Sequence, residues 1–554
     1  MITNEHGLQP MLIFHHFFIR SHSMKQHYLP KYPLIIVYGL MIFLFPINTL
    51  GTGYAIPRLV VGTTMTVNSV NIDDYYFGVM RAMLTHRALV QLDEKGAIVA
   101  DMAETWKTDD AQKWIFHLRP NLVWHDGKTV TARDVVFSMR YLLEKIPVYR
   151  WHLNLVDKIE ARDDHTVVLD LTEPNPRFLV NLLVLRVIPQ HIFETVEDPK
   201  KFHGPQAAIG CGPYKFKAFD KSAGVIRFEA FKQYFRGQPN VGEVIFRLFR
   251  NADTLNLSFR KGEVDLPYFY ASGTDPVQAR TLKNNPEVKL HLISNRGIPN
   301  MLFFNLKQPL VNRSEFREAL SYAINYQELL NLFAAGYGSV PNKGFIPPGT
   351  FGFVKTEPFA FDPNTARQKL RQLGYVDTNN DGIREADNRQ LELEIVVRTD
   401  TDGSMRLADR LKTYFAAVGV ALKIKPVDNT LFRQISDRDR NHTMLLSRTT
   451  PWGMMMWAGC GSGYIDSRNI GWSVMNDPAF LAIVDRMNAA LDDKAYLDAA
   501  AEFQAYNARM TPVIPLYWNQ MIQPYHKRFS GWLENPMYGF LWEKTWFSLK
   551  ENKN

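Results

Sequence analysis

The chain has 554 residues, of which 46% are hydrophobic and 22% are charged, and its formal net charge is +8 at pH 7. One compact core does not accommodate a chain of this length, so we expect the chain to divide into lobes. The basic excess is small and its residues are interspersed with acidic ones, which argues against a nucleic-acid-binding surface.

An apolar run over residues 32–50 follows Lys25 and Lys31 and precedes Gly53-Tyr54-Ala55. A basic stretch, an apolar stretch and small residues in this order are typical of a secretory signal peptide, which we expect to be cleaved near Ala55. A transmembrane anchor is the alternative, but two prolines and a short apolar centre argue against it. Met24 is a more natural start for this peptide than the first methionine.

Residues 118–138, LRPNLVWHDGKTVTARDVVFS, predict a strand, a turn and a helix in succession. Residues 125–128 form the turn, in which Gly127 can adopt a positive φ. Thr131 suits the N-cap of the helix, and Asp134 three residues later completes a pair that resembles a capping box. Apolar residues then recur at helical spacing.

Strands and helices alternate along the rest of the chain. Residues 56–115 combine short β-rich runs with a helix near 75–89, and residues 154–173 predict a β-hairpin. Residues 362–374 predict a helix with Asp at the N-cap, Pro in the first turn and Gly after the end. Residues 391–426 predict a strand, an amphipathic helix and a second strand, a βαβ unit. This alternation indicates α/β lobes.

Five segments follow one another in a recognisable order. They are the strand–turn–helix segment 118–138 and residues 209–214, 251–266, 303–306 and 316–325. In sequence, order and spacing they resemble the bacterial extracellular solute-binding proteins of the peptide and nickel family. Residues 209–214 depart from the family's IGTGPY pattern at Cys211, where threonine or serine is usual.

The resemblance implies an α/β fold of two lobes, the type II periplasmic-binding-protein fold, with a ligand cleft between lobes that close by hinge motion. We expect an N-terminal extension and signal peptide over residues 1–55, lobe I with an inserted subdomain over 56–297, lobe II over 298–512 and a C-terminal return to lobe I over 513–554.

The resemblance also implies the periplasmic substrate-binding component of an ABC importer. It would capture a small peptide-like ligand or a metal chelate, nickel in particular, and deliver it to a separate permease and ATPase. We expect a monomer that needs no cofactor and binds no nucleic acid. A secreted hydrolase is one alternative, although the G-x-S-x-G, H-E-x-x-H and P-loop patterns are missing from the sequence. A membrane-anchored sensor is the other alternative.

Three candidate ligand-binding residues lie in the first half of the chain. Residues 178–186 end in Arg186, and nickel-binding relatives have an arginine in a similar frame that contacts the carboxylates of the chelate. A planar guanidinium suits this role because it can bind a carboxylate with two hydrogen bonds. A structural ion pair is the alternative for Arg186. Arg150 and Trp151 resemble a pocket pair of the same relatives, although the spacing differs.

Residues 447–457, SRTTPWGMMMW, resemble the segment that lies at the cleft of nickel-binding relatives. The candidates here are Ser447, Arg448, Trp452, Met454 and Trp457. The relatives have a metal-binding histidine where this chain has Ser447, and serine is a poor ligand for Ni²⁺. A chelator would therefore supply most metal ligands, with His442 and the methionines as fallback. A buried loop rich in Met and Trp is the alternative.

Peptide-binding relatives anchor the peptide amino group on an acidic residue in this loop. No acidic residue lies between Ser447 and Tyr464, so only Asp466 could substitute. The sequence therefore slightly favours a preformed chelate over a dipeptide or a free ion.

Two further features carry structural expectations. Cys211 and Cys460 should remain unpaired, because a disulfide would tether two lobes that must move. Residues 377–382 imitate the start of a calcium loop, but its twelfth position is Asn388 and not the glutamate that an EF-hand requires, so we expect a surface hairpin.

Overall fold

The computed structural model describes most of the chain from residue 53 onward. The described ranges are 53–146, 149–270, 273–293, 300–387, 389–401, 403–448, 462–535 and 537–552. The predicted signal peptide lies outside them. Within these ranges, no helix has both the length and the apolar character needed to cross a bilayer.

A five-stranded mixed sheet forms the first half of the molecule. Its strands lie in the order Leu266–Tyr268, Ile56–Thr63, Val241–Leu248, Val225–Ala230 and Tyr214–Asp220. Ile56–Thr63 runs parallel to both of its neighbours, which requires long crossover connections, and the strands at the other end pair antiparallel. Leu59 and Val61 of Ile56–Thr63 are fully buried, so this strand lies in the core.

A four-stranded antiparallel sheet contains the predicted hairpin. Its order is Ala103–Lys107, Lys113–Leu118, Thr166–Leu171 and Val156–Ala161. The last two strands pair antiparallel, as the sequence predicts for residues 154–173. The helix Ala132–Lys145 packs against them, and the carboxylate of Asp134 accepts a hydrogen bond from the backbone N–H of Thr131 at 2.8 Å. The predicted cap is therefore confirmed, and Gly127 in the preceding turn has a φ of 89°.

A second five-stranded sheet forms the other half. Its strands are Ala421–Val427, Glu392–Arg398, Met444–Arg448, Asn300–Phe304 and Val513–Pro515. The first two are parallel and are joined by the helix Ser404–Ala416, so the predicted βαβ unit is confirmed. The predicted helix at 362–374 is observed as Pro363–Gln372, with Asp362 accepting hydrogen bonds from the N–H groups of Asn364 and Thr365.

Shorter elements complete the described part of the chain. The remaining α-helices are Tyr75–Met80, Arg150–Leu153, Leu179–Leu182, Gln190–Phe193, Ala252–Arg260, Pro276–Leu282, Ser314–Ala323, Tyr326–Phe333, Asn429–Arg433, Pro478–Ala489, Asp493–Met510 and Glu543–Ser548, with π-helices at Arg81–Thr85 and Gln434–Asp439. Two-stranded pairs are Val90–Leu92 with Ile98–Ala100, Val288–Ile293 with Met521–His526, Gly338–Ser339 with Trp518–Asn519, Glu385–Ala386 with Arg389–Gln390, and Phe529–Ser530 with Lys550–Glu551.

The buried apolar residues cluster in the two halves separately. The largest cluster joins residues 56–268 to residues 529–549 near the C-terminus, and two others fall within residues 301–518. Residues 513–518 belong to the second sheet and its cores, whereas the sequence places them at the start of the return to lobe I. The division of the chain at residues 297 and 512 stays a prediction.

Candidate ligand-binding site

Arg186 is the predicted site residue whose surroundings are described most fully. It follows the helix Leu179–Leu182, and only 8% of the residue is exposed. Its Nη2 donates a hydrogen bond of 2.9 Å to the hydroxyl of Tyr538. Within the described ranges, no carboxylate lies at ion-pair distance from its guanidinium. A structural ion pair, the alternative for Arg186, is therefore not found in this part of the chain.

Two cavities flank the Arg186 side chain. Both are small, with room for a water-sized molecule over only about 10 and 20 Å³. The smaller is lined by apolar side chains such as Val135 and Leu182, and the larger by polar ones such as Gln91 and Glu543. Arg186 thus stands between an apolar and a polar recess, the mixed lining that small-molecule sites have.

A second buried arginine, Arg81, lies close enough to Arg186 for their charges to interact. Arg81 begins the π-helix Arg81–Thr85 and is 4% exposed. Its Nε has no hydrogen-bond partner among the described residues. Burial lowers the pKa of Arg81 to about 10; the nearby Tyr149 opposes this shift and the charge of Arg186 adds to it. Arg81 therefore remains a buried cation at neutral pH.

The other titratable groups near Arg81 add no positive charge. Burial places the pKa of His86 well below 6.5, and the charges of Arg81, His125 and Arg186 lower it further, so this imidazole is neutral. Burial raises the pKa of Tyr149, and the charges of Arg81 and Arg186 oppose that shift. Arg81 and Arg186 are thus two guanidinium cations beside a neutral imidazole and a neutral phenol, and the ion pair of Arg87 with Glu543 lines the larger recess.

Two motifs of the sequence hold the π-helix in place. The backbone N–H of Gly212 donates to the carbonyl of Thr85 at 2.8 Å, and His125 and Gly210 exchange hydrogen bonds of 2.8 and 3.1 Å. A Cβ atom on Gly210 would lie 1.8 Å from the oxygen of Thr85, so this approach requires glycine. Burial lowers the pKa of His125 to about 3, which keeps its Nδ1 free to accept. The segments at 118–138 and 209–214 therefore hold the π-helix that carries Arg81.

Arg150 and Trp151 begin the helix Arg150–Leu153, which packs against Leu179–Leu182, the helix that precedes Arg186. The fold thus brings the backbones of all three predicted residues to one region. The side chains of Arg150 and Trp151 lie outside the described part of the structure, so their contact with a ligand stays a prediction.

Ser447 and Arg448 lie in the second sheet, at the end of strand Met444–Arg448. Ser447 is 5% exposed, and Arg448 is half-buried. The hydrogen bond from Arg398 lowers the pKa of Asp400, and the charge of Arg448 contributes to this shift. Trp452, Met454, Trp457 and Cys460 lie outside the described residues. No described contact joins Arg448 to Arg186.

Asp466 and His442 are the residues that the sequence offers as an alternative peptide anchor and an alternative metal ligand. Both are buried, and each makes a polar contact within the protein. Asp466 is fully buried and pairs with Arg468 at 2.8 Å. His442 is 2% exposed, its Nε2 lies 2.8 Å from the carbonyl of Trp472, and burial lowers its pKa. In this structure the carboxylate of Asp466 is therefore already paired, and His442 is a core residue whose Nδ1 has no hydrogen-bond partner among the described residues.

The hairpin at residues 377–390 places the carboxylates of Asp377, Asp381 and Glu385 within 4.8 Å of one another. Asp381 is exposed, and Glu385 accepts a hydrogen bond of 2.7 Å from the N–H of Thr378. These are oxygen ligands of the kind that Ca²⁺ prefers, but Asn388 lies outside the described residues. The arrangement agrees with the predicted surface hairpin.

The sequence interpretation missed Arg81, Tyr149 and Tyr538. Arg81 leaves a recognisable trace, because it is the one charged residue in the apolar stretch 77–84, FGVMRAML. Tyr538 leaves none, since 352 residues separate it from Arg186. Nothing in the local sequence marks Tyr149.

Comparisons with known proteins agree on a family and a fold. The family model "Bacterial extracellular solute-binding proteins, family 5 Middle" matches residues 97–466. Protein y4wM of Sinorhizobium fredii is 24% identical over 506 residues, 79% of this chain and 74% of that protein. The dipeptide-binding protein of Escherichia coli is 21% identical over 473 residues, which cover 79% and 84% of the two chains.

Among solved structures, NikA from Brucella suis in complex with Fe(III)-EDTA matches with a TM-score of 0.77 at 18% identity, over 90% of this chain and 100% of that one. An identity this low carries the fold alone. The predicted fold class, a two-lobed α/β periplasmic-binding-protein fold of type II, is therefore confirmed.

Proposed function

Because the chain belongs to family 5 of the bacterial extracellular solute-binding proteins, whose members bind substrates for peptide and nickel ABC importers, we propose that it captures a small anionic ligand. It delivers this ligand to a separate permease and its ATPase. Family members are binding proteins and not enzymes.

The environment of Arg186 is the observation that carries the proposal. Only 8% of the residue is exposed, and its guanidinium has a tyrosine hydroxyl as its partner and no carboxylate at ion-pair distance within the described ranges. Removing a charge from water costs several kcal/mol unless an opposite charge compensates it, on the order of 20 kcal/mol in the idealised limit. A ligand carboxylate supplies that opposite charge and can accept two hydrogen bonds from the guanidinium.

Within this class we favour a preformed metal chelate over a dipeptide. The dipeptide-binding protein of E. coli is a peptide binder by name, and the NikA structure contains Fe(III)-EDTA. In this chain Asp466 is already paired with Arg468, and no acidic residue lies between Ser447 and Tyr464 to anchor a peptide amino group. Serine is a poor ligand for a bare Ni²⁺ ion, and His442 is buried in the core with its Nε2 bonded to the carbonyl of Trp472.

Export to the periplasm, cleavage near Ala55 and action as a monomer belong to the same proposal. They rest on the apolar run before Gly53 and on the periplasmic or extracellular location of the family. N-terminal sequencing of the secreted protein should begin near Ile56. Intact residues 34–46 in a membrane fraction would instead favour the membrane-anchored sensor.

Titration followed by tryptophan fluorescence tests the ligand class. The ligands are free Ni²⁺, Ni²⁺ with histidine, and a mixed pool of di- and tripeptides. Binding should appear with the chelate and not with the free ion. A micromolar response to peptides with none to the chelate would make the protein a peptide importer. Native mass spectrometry of the purified protein supplies the independent check, and absence of any small molecule in both experiments would overturn the proposed function.

A further inference from the structure

Arg177 connects the two halves of the molecule. It follows the strand Thr166–Leu171 of the four-stranded sheet in the first half, and its backbone N–H donates to the side chain of Asn175 at 3.0 Å. Its Nη1 donates to Oδ1 of Asp493 at 3.1 Å, and its Cζ lies 4.2 Å from the centre of the Tyr496 ring. Asp493 and Tyr496 belong to the second half, so one side chain makes an ion pair and a cation–π contact between the halves.

The second half itself fixes the groups that receive Arg177. Asp493 and Tyr496 lie three residues apart in the first turn of the helix Asp493–Met510 and therefore share one face of it. Tyr496 is 4% exposed, and its ring stacks on that of Phe351 with 5.5 Å between the ring centres and 14° between the planes. The ring and the carboxylate are therefore held in position independently of the first half.

The contact of Arg177 with the second half is incomplete and therefore reversible. Its Nε and Nη2 are shielded from solvent but have no hydrogen-bond partner among the described residues, and the Asp493 side chain is 71% exposed. Arg468 differs, because its Nε and Nη2 both donate to the buried carboxylate of Asp466. When Arg177 withdraws, water can bind the N–H groups that the protein leaves unbonded, which offsets the loss of the ion pair.

A second contact between the halves lies beside the passage of the chain from one to the other. The strands Val288–Ile293 and Met521–His526 adjoin that passage and pair with each other. The helix that carries Arg280 packs against both strands, and Arg280 Nη2 donates to the carbonyl of Ala335 at 3.0 Å. A hinge rotation displaces atoms in proportion to their distance from the hinge. The four-stranded sheet contains neither of these strands, so its contact is the one that a rotation here would separate.

We propose that Arg177, Asp493 and Tyr496 form a latch, which holds the two halves together while a ligand is bound and opens when the ligand leaves. This inference rests on the proposed function, because a protein that captures and releases a ligand needs its halves to separate. The latch determines how long the ligand stays and not how it is recognised. The helix Leu179–Leu182 begins two residues after Arg177 and leads to Arg186, so the latch and the proposed ligand contact lie on one segment.

Dissociation rates test the latch. The probe is the Ni²⁺–histidine complex, or dialanine if the protein binds that instead, released by rapid dilution and followed by tryptophan fluorescence. Arg177→Gln removes both contacts and should raise the dissociation rate about fivefold, since an exposed ion pair and a cation–π contact each contribute a factor of roughly two to five. Asp493→Asn keeps the ring contact and should raise the rate about twofold. The association rate should change less than about twofold in both variants, because the latch forms after the ligand has entered.

Asp498→Asn is the matched control. Asp498 lies on the same helix as Asp493, and its ion pair of 2.6 Å is with Lys494 of that helix. This variant removes the same charge without touching the latch, so its dissociation rate should stay within about 1.5-fold of the wild-type rate. Salt supplies a second readout, because raising NaCl from about 0.05 M to about 0.5 M screens an exposed ion pair. The wild-type rate should then approach that of Asp493→Asn.

The outcomes distinguish the latch from the proposed function. Equal dissociation rates in the wild-type protein and Arg177→Gln, or a rise in Asp498→Asn as large as that in Asp493→Asn, would overturn the latch and leave ligand capture standing. A loss of affinity that lies wholly in the association rate would do the same. Asp493→Asn, at an exposed position, carries the test alone if Arg177→Gln does not fold. If the wild-type protein binds neither probe, the proposed function falls and the latch falls with it.

Discussion

Arg81 and Arg87 lie six residues apart and are equally buried, yet their surroundings are opposite. Arg87 contacts Asp101 at 2.8 Å and Glu543 at 3.1 Å. Burial would lower the pKa of Arg87, but these two carboxylates outweigh it and raise that pKa well above its usual value. For Arg81 no such carboxylate exists in the described chain, and its pKa falls to about 10. Two arginines of equal burial therefore differ in whether a described carboxylate of the protein compensates their charge.

The Arg87 cluster is also a long-range tie within the first half of the molecule. Glu543 accepts hydrogen bonds from Tyr234, Arg236 and the side-chain amide of Gln91 as well as from Arg87. Its carboxylate is therefore bonded by groups from two distant parts of the chain, residues 87–91 and 234–236. A ligand-binding charge, in contrast, must have hydrogen-bonding groups that the protein itself does not already bind.

Removing the carboxylate that neutralises Arg87 should have the largest effect. Glu543→Gln leaves Arg87 paired with Asp101 alone among the two carboxylates described above. It also weakens the contacts of residue 543 with Tyr234 and Arg236. Breaking a buried ion pair costs about 3–5 kcal/mol, so the free energy of unfolding should fall by that amount in urea titrations. Glu551→Gln, at an exposed position, should change it by less than about 0.5 kcal/mol. Equal stability of the two variants would show that the cluster is not a structural tie.

Removing the charge of Arg186, which we propose faces the ligand, should affect binding and leave the fold intact. Arg186→Ala should weaken binding of the Ni²⁺–histidine complex at least about tenfold, within the range of about 2–5 kcal/mol for one partner of a desolvated charge pair. Tyr538→Phe keeps the charge and removes only the hydroxyl that accepts from Arg186, so its loss should be smaller. Calorimetry measures both affinities. Unchanged affinity in Arg186→Ala would assign Arg186 to structure.

Substitution of Gly210, which packs against the π-helix at Thr85, should have a smaller effect. In Gly210→Ala the new Cβ would lie 1.8 Å from the oxygen of Thr85, so the π-helix must shift. Overpacking of this kind costs about 1–3 kcal/mol of stability, and ligand affinity should fall with it. Gly78→Ala, in the preceding helix with no atom near the added methyl, should match or exceed the stability of the wild-type protein. Chemical unfolding of the two variants decides the matter.

The smallest expected effect is a pH dependence of the stability that comes from His125, which bonds Gly210. The folded protein keeps His125 neutral with a pKa of about 3, whereas the unfolded chain protonates it near pH 6.5. The unfolded state therefore binds more protons between these values, and stability falls as the pH is lowered. From pH 7 to pH 6 the loss from this one imidazole is about 0.7 kcal/mol. In His125→Gln that part of the slope should vanish from urea midpoints measured across the range.

Local signals were sufficient for much of the fold. The cap formed by Thr131 and Asp134, the hairpin at 154–173 and the βαβ unit at 391–426 all depend on contacts between residues close in sequence, which spacing and turn chemistry record. Arg186 was found through resemblance to relatives. Its partner Tyr538 is set by the return of the chain after 352 residues, and no local pattern encodes such a contact. The sequence pattern does not predict the π-helix, because its hydrogen bonds join residues five apart, whereas α-helical periodicity reflects bonds between residues four apart.

The C-terminal helix Glu543–Ser548 determines when the first half of the molecule can be completed. Trp546 is fully buried and donates to the carbonyl of Met83, and Glu543 neutralises Arg87. These contacts cannot form until nearly the whole chain has left the ribosome. The segment around Met83 and Arg87 therefore lacks these contacts through most of synthesis. For the export that we propose, this order delays the completion of folding until the C-terminal helix has been synthesised.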